Sequence, residues 1–365
     1  MKYLRNFWVA ALLVVGLIVP GVKAQEELAK KADAAVEAQR VAQRIPGVSV
    51  VICRSGKVEK AAGYGLANVE WNAAVTPETI FQTGSVGKQF AATVVMMLVE
   101  EGKIELNGKL SNYVAGTPAA WKNVTIRHLL THTSGIADYG GEEATMGKDV
   151  INFRKDYTED ELVQAFANMP MDFAPGEKWS YSNTGYVLLG MVIRKATGKF
   201  YGDVLKERIF EPLGMSSTRV ISEADIVMHR SAGYRLVNGE LKNQEWVAPT
   251  LNTTADGALY TNVLDLAKWD AALYTTKLLK QSSFDQMWTP VKLNNGKTYP
   301  YGFGWDVGET KGHRFVAHDG AWQGFTMSIT RFVDDKLTFI VMTNLDENNS
   351  KPDLIVGALA KLYLP

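Results

Sequence analysis

A serine and a lysine stand three residues apart in Ser85-Val86-Gly87-Lys88, at the start of a long apolar run. Residues with this spacing share one face of a helix, so the lysine nitrogen can reach the serine hydroxyl. The N-terminus of a helix carries partial positive charge, and burial beside it lowers the pKa of a lysine, which can then act as a base toward Ser85. The structural alternative is a helix-capping serine with a lysine that reaches solvent. A chain of this length contains about one Ser-x-x-Lys by chance.

A second candidate group is Tyr181-Ser182-Asn183, in a segment rich in aromatic and hydroxyl side chains. A phenol beside an ammonium group can move protons to and from a serine and a leaving group. The Asn183 amide can donate a hydrogen bond to a substrate carbonyl. The alternative for Tyr181 is an aromatic side chain packed in a turn. The Tyr-x-Asn spacing recurs at Tyr260, where we expect the ring to pack at a strand end, so the tripeptide alone carries little information.

A third candidate group is His318-Asp319-Gly320-Ala321. A glycine at position 320 lets a strand backbone approach a ligand closely. The N–H group of Ala321 could then join the N–H group of Ser85 in an oxyanion hole. The alternative for His318 is a surface histidine in a turn.

Other catalytic patterns are absent from the sequence. Thr83 occupies the first glycine position of Gly-x-Ser-x-Gly around Ser85, and His-Glu-x-x-His, Cys-x-x-Cys, the P-loop and Gly-x-Gly-x-x-Gly do not occur. The five histidines lack metal-ligand spacing, so neither a metal nor a cofactor is expected. The single cysteine, Cys53, lies in an apolar β-rich run and is predicted to be a buried strand thiol.

The elements that must position these groups follow from the periodicity of the apolar residues. Helical patterns cover residues 26–44, 85–101, 264–273 and 353–364. The helix over 85–101 is apolar around most of its circumference, which predicts that it is buried, and Gly102 ends it. β-rich runs at 48–53 and 58–64 flank a hairpin turn, and further strands are predicted at 325–332 and 337–343. Residues from about 105 to 250 mix short helices with loop signals. This order predicts an α+β fold, with one antiparallel sheet completed by both ends of the chain.

The composition is that of an ordinary globular protein: 365 residues, 46% hydrophobic and 21% charged. Lys2, Arg5, an apolar run and Val22-Lys23-Ala24 predict a cleavable signal peptide over residues 1–24. The alternative is an uncleaved anchor, but the apolar run is shorter than the ~20 residues that span a bilayer. Removing the three basic residues of this segment from the 39 in the chain leaves 36, against 39 acidic residues. Such a charge balance argues against nucleic acid or an anionic membrane as partner.

Together, and in this order along the chain, these motifs resemble those of the serine β-lactamase and D,D-peptidase superfamily, with class C β-lactamases as the most similar branch. The resemblance extends through nearly the whole mature chain and includes the segments 63–68, 76–79, 129–135, 301–305 and 318–325. It implies a β-lactamase/transpeptidase-like α+β fold in residues 25–365, with an antiparallel sheet flanked by helices and a helical subdomain. The sheet part is expected at about 25–85 and 255–365, and the helical insertion at about 86–254.

The resemblance also implies roles for individual residues. It makes Ser85 the nucleophile, Lys88 its base or electrostatic activator, and Tyr181 the proton shuttle. The residues implied to bind substrate are Asn183, His318, Gly320 and Ala321, and the oxyanion N–H groups are those of Ser85 and Ala321. In the family the segment that follows His132 is a structural turn, so this segment and His132 are left out of the predicted site.

The sequence departs from the class C pattern at His318, where the β-lactamases of that branch have a lysine that helps to hold the substrate carboxylate. A histidine with a pKa near ~6.5 is largely neutral at pH 7, which argues against strong β-lactam hydrolysis. Family members with His-x-Gly at this place include esterases and D-amino-acid peptidases.

These inferences predict a serine hydrolase that forms an acyl-serine intermediate on amide bonds, in a D-amino-acid peptide or a β-lactam-like compound. One alternative is a carboxylesterase for small acyl esters, and another is a non-catalytic module that senses penicillin or peptidoglycan. The expected partner is a small molecule or peptide, with cell-wall fragments among the candidates, and no stable membrane insertion is expected after cleavage. The predicted location is the periplasm or the exterior of the cell.

Overall fold

The computed structural model describes residues 20–140, 150–221, 224–257 and 259–364. Most of the predicted signal peptide, residues 1–19, lies outside these ranges. Helix α1 begins at Pro20, earlier than the apolar pattern indicated, and the predicted cleavage point after Ala24 falls within it. No helix in the described ranges has both the length and the apolar character that a membrane span requires.

The strands, in chain order, are Gly47–Arg54 (β1), Lys57–Asn68 (β2), Ala73–Ala74 (β3), Phe81–Gln82 (β4), Tyr234–Val237 (β5), Glu240–Asn243 (β6), Tyr260–Thr261 (β7), Val291–Lys292 (β8), Thr298–Tyr299 (β9), Asp306–Thr310 (β10), His313–Trp322 (β11), Phe325–Phe332 (β12) and Leu337–Thr343 (β13). The α-helices of the described ranges are Pro20–Ala42 (α1), Lys88–Glu100 (α2), Ile126–Leu130 (α3), Glu159–Ala167 (α4), Asn183–Thr197 (α5), Tyr201–Leu205 (α6), Glu211–Leu213 (α7), Val263–Ala272 (α8), Gln281–Met287 (α9) and Pro352–Tyr363 (α10). Single 3₁₀ turns lie at Gly84–Gly87, Leu110–Asn112, Ala119–Trp121 and Leu251–Thr253, and a π-helical turn at Lys206–Phe210 joins α6 to α7.

Within the described ranges, the main sheet has seven strands in the order β10-β11-β12-β13-β1-β2-β3, and every pair of neighbours is antiparallel. Strand β1, near the start of the chain, pairs with β13, near its end, with Val48 opposite Thr343. The α+β class, the sheet closed by both ends of the chain and the hairpin at residues 54–57 are therefore confirmed.

The sheet lies between two helical layers because β1 and β13 carry apolar side chains on both faces. On the outer face, Val50 and Val341 pack with α1 and α10 in one apolar cluster. On the inner face, Val51 and Met342 belong to a larger cluster with α2, α5 and α8. The reactive groups described below lie on this inner side, between the sheet and the helices.

The predicted helix over residues 85–101 begins differently in the structure. Residues Gly84–Gly87 form a 3₁₀ turn, and the α-helix proper starts at Lys88. Such turns are common at helix N-termini, and Gly84 has φ +52°, which a glycine adopts readily. The predicted burial of this helix is confirmed, since every residue from Lys88 to Leu98 is buried, and Gly102 follows its end with φ +70°.

Two further predictions about single residues are confirmed. Cys53 is fully buried in β1, and burial raises the pKa of its thiol to about 12, so it is an inert core side chain. Tyr260 is buried in β7, and its hydroxyl accepts a hydrogen bond from the Gln82 amide at 2.7 Å.

Candidate active site

Lys88 is the centre of the site, in the first turn of α2. Its amine donates hydrogen bonds to Ser85 Oγ at 2.9 Å, to Asn183 Oδ1 at 2.8 Å and to the main-chain oxygen of Asp256 at 2.5 Å. Burial lowers the pKa of Lys88 to about 8, and the negative charges of Asp256 and Asp138 act in the opposite direction. The amine therefore loses its proton far more readily than an exposed lysine, while one of its bonds leads directly to the Ser85 hydroxyl.

Ser85 lies on the 3₁₀ turn, where the first N–H groups have no acceptor within the helix. The strand segment of β11 around Gly320 passes directly beside this turn. A β-carbon added to Gly84 would lie 2.4 Å from the Ala321 nitrogen, and one added to Gly320 would lie 3.0 Å from the Ser85 nitrogen. The two backbones approach this closely only because both positions are glycine, and the approach places the amides of Ser85 and Ala321 side by side.

Tyr181 lies next to Lys88, with the Lys88 nitrogen 4.8 Å from the centre of its ring. Its hydroxyl oxygen is buried and forms no hydrogen bond of good geometry, although Ser85 is near enough to influence it. Burial raises the pKa of Tyr181 well above its usual value, and the interaction with Ser85 opposes this effect only in part. The phenol is therefore neutral at neutral pH and holds a proton that it can donate.

Asn183 is the first residue of α5, and its amide is already engaged within the protein. Its oxygen accepts from Lys88, and its nitrogen donates to Asp138 Oδ2 at 3.2 Å. The main-chain N–H of Asn183 also donates to the Asp138 carboxylate, at 2.8 Å. An amide nitrogen has two hydrogens, so one hydrogen of the Asn183 amide remains for a substrate carbonyl.

Two carboxylates that the sequence analysis did not single out complete the surroundings of Lys88: Asp256, which is buried, and Asp138, which is partly buried. Asp138 follows the 129–135 segment, and burial raises the pKa of its carboxyl, opposed chiefly by the N–H bond from Asn183. Asp256 accepts a hydrogen bond from the Tyr139 hydroxyl at 2.6 Å. Neither residue stands in a recognisable spacing, because each reaches the site from a different loop.

His318 is buried, and both of its ring nitrogens are engaged by the protein. Nε2 lies 2.9 Å from the Tyr301 hydroxyl, and Nδ1 lies 2.5 Å from the main-chain oxygen of Asp319. Burial and the charge of Lys88 lower the pKa of His318 to about 3, so the ring is neutral at pH 7. The imidazole therefore lines the site without a free donor or a positive charge, and its role in substrate binding stays a prediction.

His132, which the sequence analysis left out of the site together with the turn that follows it, packs directly against the candidate site residue Tyr181. Its ring is buried and lies 4.2 Å from the Tyr181 ring, centre to centre. It contacts Tyr301 as well, at 3.1 Å between Nε2 and the hydroxyl oxygen. Sequence patterns could not reveal this contact, because residues 132, 181 and 301 are far apart in the chain.

A cleft of about 810 Å³ opens over Ser85, and the predicted residues Tyr181, Asn183, His318 and Gly320 all line it. Much of its wall is aromatic, contributed by Tyr139, Phe153, Trp179, Tyr301 and Trp322. The basic side chains among its described lining residues are already engaged: Arg235 pairs with Glu245 at 2.7 Å, and Lys351 donates to a main-chain oxygen at 2.9 Å. In the described ranges, no three histidine, cysteine or carboxylate side chains converge as metal ligands would.

A helix-borne serine beside a buried lysine, on the inner side of an antiparallel sheet, places the protein in the class of serine hydrolases. Residues 32–361 match the sequence model of the Beta-lactamase family, and the chain belongs to this family. It is 32% identical over 327 residues to penicillin-binding protein 4* of Bacillus subtilis, a match that covers 85% of this chain and 70% of that protein.

Two other relatives have names that describe an activity. A D-aminopeptidase of Brucella ovis is 28% identical over 314 residues, which are 84% of this chain but only 57% of that protein. The crystal structure of a D-amino acid amidase from Ochrobactrum anthropi SV3, complexed with D-phenylalanine, superimposes with a TM-score of 0.78 at 25% identity. That likeness covers 92% of this chain and 99% of the amidase.

Proposed function

We propose that this protein hydrolyses amide bonds of D-amino-acid peptides and amides through an acyl-serine intermediate. The observation that carries the proposal is the Lys88 amine, buried with a lowered pKa of about 8 and 2.9 Å from Ser85 Oγ. The proposal for the D configuration rests on the D-aminopeptidase and the D-amino acid amidase among the similar proteins.

The proposed reaction begins when neutral Lys88 accepts the Ser85 proton and Ser85 Oγ attacks the substrate carbonyl carbon. The resulting oxyanion is stabilised by the N–H groups of Ser85 and Ala321. Tyr181 donates its proton to the leaving amine as the carbon–nitrogen bond breaks, and it regains a proton from the Lys88 ammonium group. Water then adds to the acyl carbon and loses a proton to the same pair. The bond between the acyl carbon and Ser85 Oγ breaks, Oγ takes up that proton, and the acid product is released.

The charges of the cleft favour substrates without a carboxylate beside the scissile bond. His318 is neutral at pH 7, Arg235 is paired with Glu245, and the Lys351 amine is hydrogen-bonded to a main-chain oxygen. A β-lactam or a C-terminal dipeptide carries a carboxylate near the reacting carbonyl, and the neutral imidazole of His318 offers that carboxylate no positive charge. The aromatic wall with Trp179 and Trp322 suits an apolar side chain instead.

Covalent labelling tests the proposed nucleophile. A fluorescent fluorophosphonate should label the wild type and the Ser282→Ala variant, whose exposed serine lies in α9, but not Ser85→Ala. Labelling that persists in Ser85→Ala would contradict the proposal. So would a folded wild type that neither a fluorophosphonate nor a fluorescent penicillin labels.

A turnover panel tests the substrate class. We expect hydrolysis of D-phenylalanine amide, little of its L enantiomer, and weaker turnover of a D-alanyl-D-alanine peptide and of a chromogenic cephalosporin. Turnover restricted to p-nitrophenyl esters would identify a carboxylesterase instead. Labelling of Ser85 without turnover of any substrate would identify a sensing module.

We further propose that the protein is exported to the periplasm or the medium, because residues 1–24 have the charge and apolar pattern of a signal peptide. N-terminal sequencing of the protein from fractionated cells should find Gln25 first, outside the cytoplasm. A cytoplasmic protein that retains its first residues would contradict this.

A further inference from the structure

His132 has an unusual backbone conformation for a residue with a side chain. Its φ is +56°, in the left-handed region, and its ring is almost completely buried. A residue other than glycine adopts this conformation only at an energetic cost, so its surroundings must hold it in place. The contacts that hold it are those it makes with the segment around Tyr181.

His132 contacts that segment at three points. The N–H of Ser180 donates to the His132 main-chain oxygen at 3.0 Å, and the N–H of Ser182 donates to His132 Nδ1 at 3.1 Å. Between these two bonds, the imidazole lies against the Tyr181 ring, with 4.2 Å between ring centres and an angle of 35°. The residues before and after Tyr181 and the phenol ring itself are thus all held by one residue, His132, through its main-chain oxygen and its side chain.

Hydrogen bonds then determine where each imidazole proton lies. Because His132 Nδ1 accepts from Ser182, its proton is on Nε2, which donates to the Tyr301 oxygen at 3.1 Å. The Tyr301 hydroxyl hydrogen is then free to donate to His318 Nε2 at 2.9 Å. The His318 proton lies on Nδ1 and is donated to the Asp319 main-chain oxygen at 2.5 Å.

This chain of hydrogen bonds ends at a main-chain group on each side, the N–H donor of Ser182 and the carbonyl acceptor of Asp319. With both ends fixed, only one arrangement of protons satisfies every bond in between. A proton added to Nδ1 of His132 would break the bond from the Ser182 N–H group. The orientation of the His132 ring is therefore fixed at both of its nitrogens, by Ser182 and by the bond through Tyr301 to His318 in β11.

We propose that His132 is a positioning residue that holds the Tyr181 phenol against Ser85, and that Tyr301 and His318 fix its ring through the hydrogen-bonded chain. This proposal rests on the proposed function, in which Tyr181 transfers a proton to the leaving group. Tyr181 needs such a support because its own hydroxyl has no hydrogen bond of good geometry to anchor it.

NMR of the wild type with ¹⁵N-labelled histidine reports which ring nitrogen carries the proton, and it therefore tests the chain of hydrogen bonds without any substrate. At pH 7 we expect His132 with its proton on Nε2 and His318 with its proton on Nδ1, both neutral, with resonances assigned from His132→Asn and His318→Gln. The opposite tautomer, or a protonated ring, at either position would overturn the proposal. This result does not depend on whether the protein turns over any substrate of the panel.

Kinetics of His132→Asn, alone and combined with Tyr181→Phe, test the positioning role. The asparagine oxygen can still accept from Ser182, and asparagine tolerates a positive φ, but the ring contact and the bond to Tyr301 are lost. We expect kcat on the best amide substrate to fall about 100-fold, the loss typical of a misplacement near 1 Å, with KM changed less than about threefold. In the Tyr181→Phe background the same substitution should change kcat less than about twofold, because the two act through one group.

A loss of equal size in both backgrounds would overturn the proposal, since it would mean that His132 acts independently of Tyr181. If His132→Asn does not fold, Tyr301→Phe serves in its place, because it keeps the ring and removes only the two hydrogen bonds. It should lower kcat about tenfold in the wild-type background and not in Tyr181→Phe. Labelling by fluorophosphonate confirms in each variant that Ser85 remains folded and reactive.

Discussion

The rate of acylation should follow the deprotonation of Lys88, and removal of one nearby charge should shift that dependence. With a pKa of about 8, the neutral fraction of Lys88 is roughly 1% at pH 6, 10% at pH 7 and 50% at pH 8. If only the neutral amine accepts the Ser85 proton, kcat/KM rises about 50-fold between pH 6 and pH 8.

Asp256→Asn is the informative perturbation. Lys88 donates to the main-chain oxygen of Asp256, which the substitution leaves in place, and the new amide oxygen can still accept from the Tyr139 hydroxyl. What disappears is a negative charge that raises the pKa of Lys88. The pKa of Lys88 therefore falls, and the rising limb of the pH profile moves to lower pH.

The neutral fraction of the wild type sets the size of the effect. About a tenth of Lys88 is neutral at pH 7, so full deprotonation can raise kcat/KM at that pH by at most about tenfold. At pH 9 the variant should equal the wild type or be slightly slower, because a less basic amine is a weaker proton acceptor. The exposed control Asp285→Asn, in α9, should leave the profile unchanged.

The assay is kcat/KM for D-phenylalanine amide, measured from pH 5.5 to 9.5 at constant ionic strength. A wild-type profile that is flat between pH 6 and pH 8 would refute the assignment of Lys88 as the base. A shift of the Asp256→Asn profile to higher pH would refute the electrostatic reasoning.

Three further predictions concern the backbone contact, a buried ion pair and the response to acid. Gly84→Ala should lower kcat/KM at least 100-fold, because the new β-carbon would lie 2.4 Å from the main-chain nitrogen of Ala321 in β11. The control is Gly102→Ala, at a position with φ +70° and open space around it. This control should only reduce the free energy of unfolding, by about 1 kcal/mol in thermal unfolding. Arg331→Leu should destabilise the protein by about 3–5 kcal/mol in urea unfolding, because it leaves the buried Asp270 carboxylate without its partner at 2.7 Å. His318 has a folded pKa of about 3, below its unfolded value of 6.5, so its stabilising contribution is complete above pH 6.5 and is lost as the pH falls toward 3. The free energy of unfolding should therefore decrease from pH 7 to pH 4, and less steeply in His318→Gln; an equal slope in both proteins would contradict this.

Local patterns are sufficient for several elements of this fold, but not for the edge strands β3 and β10 or for the β5–β6 hairpin. The strands at 325–332 and 337–343 and the helix that follows Ser85 were predicted from residues adjacent in sequence, because strand and helix periodicity are properties of short segments. The prediction of where that helix starts is less accurate. The tight turn at Gly84–Gly87 depends on its contact with Gly320 and Ala321 in β11, more than 230 residues later in the chain.

The two copies of Tyr-x-Asn illustrate the limit of short motifs. The tripeptide beginning at Tyr181 leads into α5 beside Lys88, whereas Tyr260 is buried in β7 and bonded to Gln82. Only the order of several motifs along the chain distinguished them before the structure was known.

By itself the sequence determined which residues share a helix face, and so it placed Lys88 within reach of Ser85. The tertiary structure decided what surrounds that pair: the carboxylates of Asp138 and Asp256, and the ring of His132 against Tyr181. It also decided that both ring nitrogens of His318 form hydrogen bonds within the protein, to Tyr301 and to the main chain of Asp319. The physical reason is that the pKa of a buried group depends on burial and on charges brought near it by folding, and neither is encoded in the spacing of neighbouring residues.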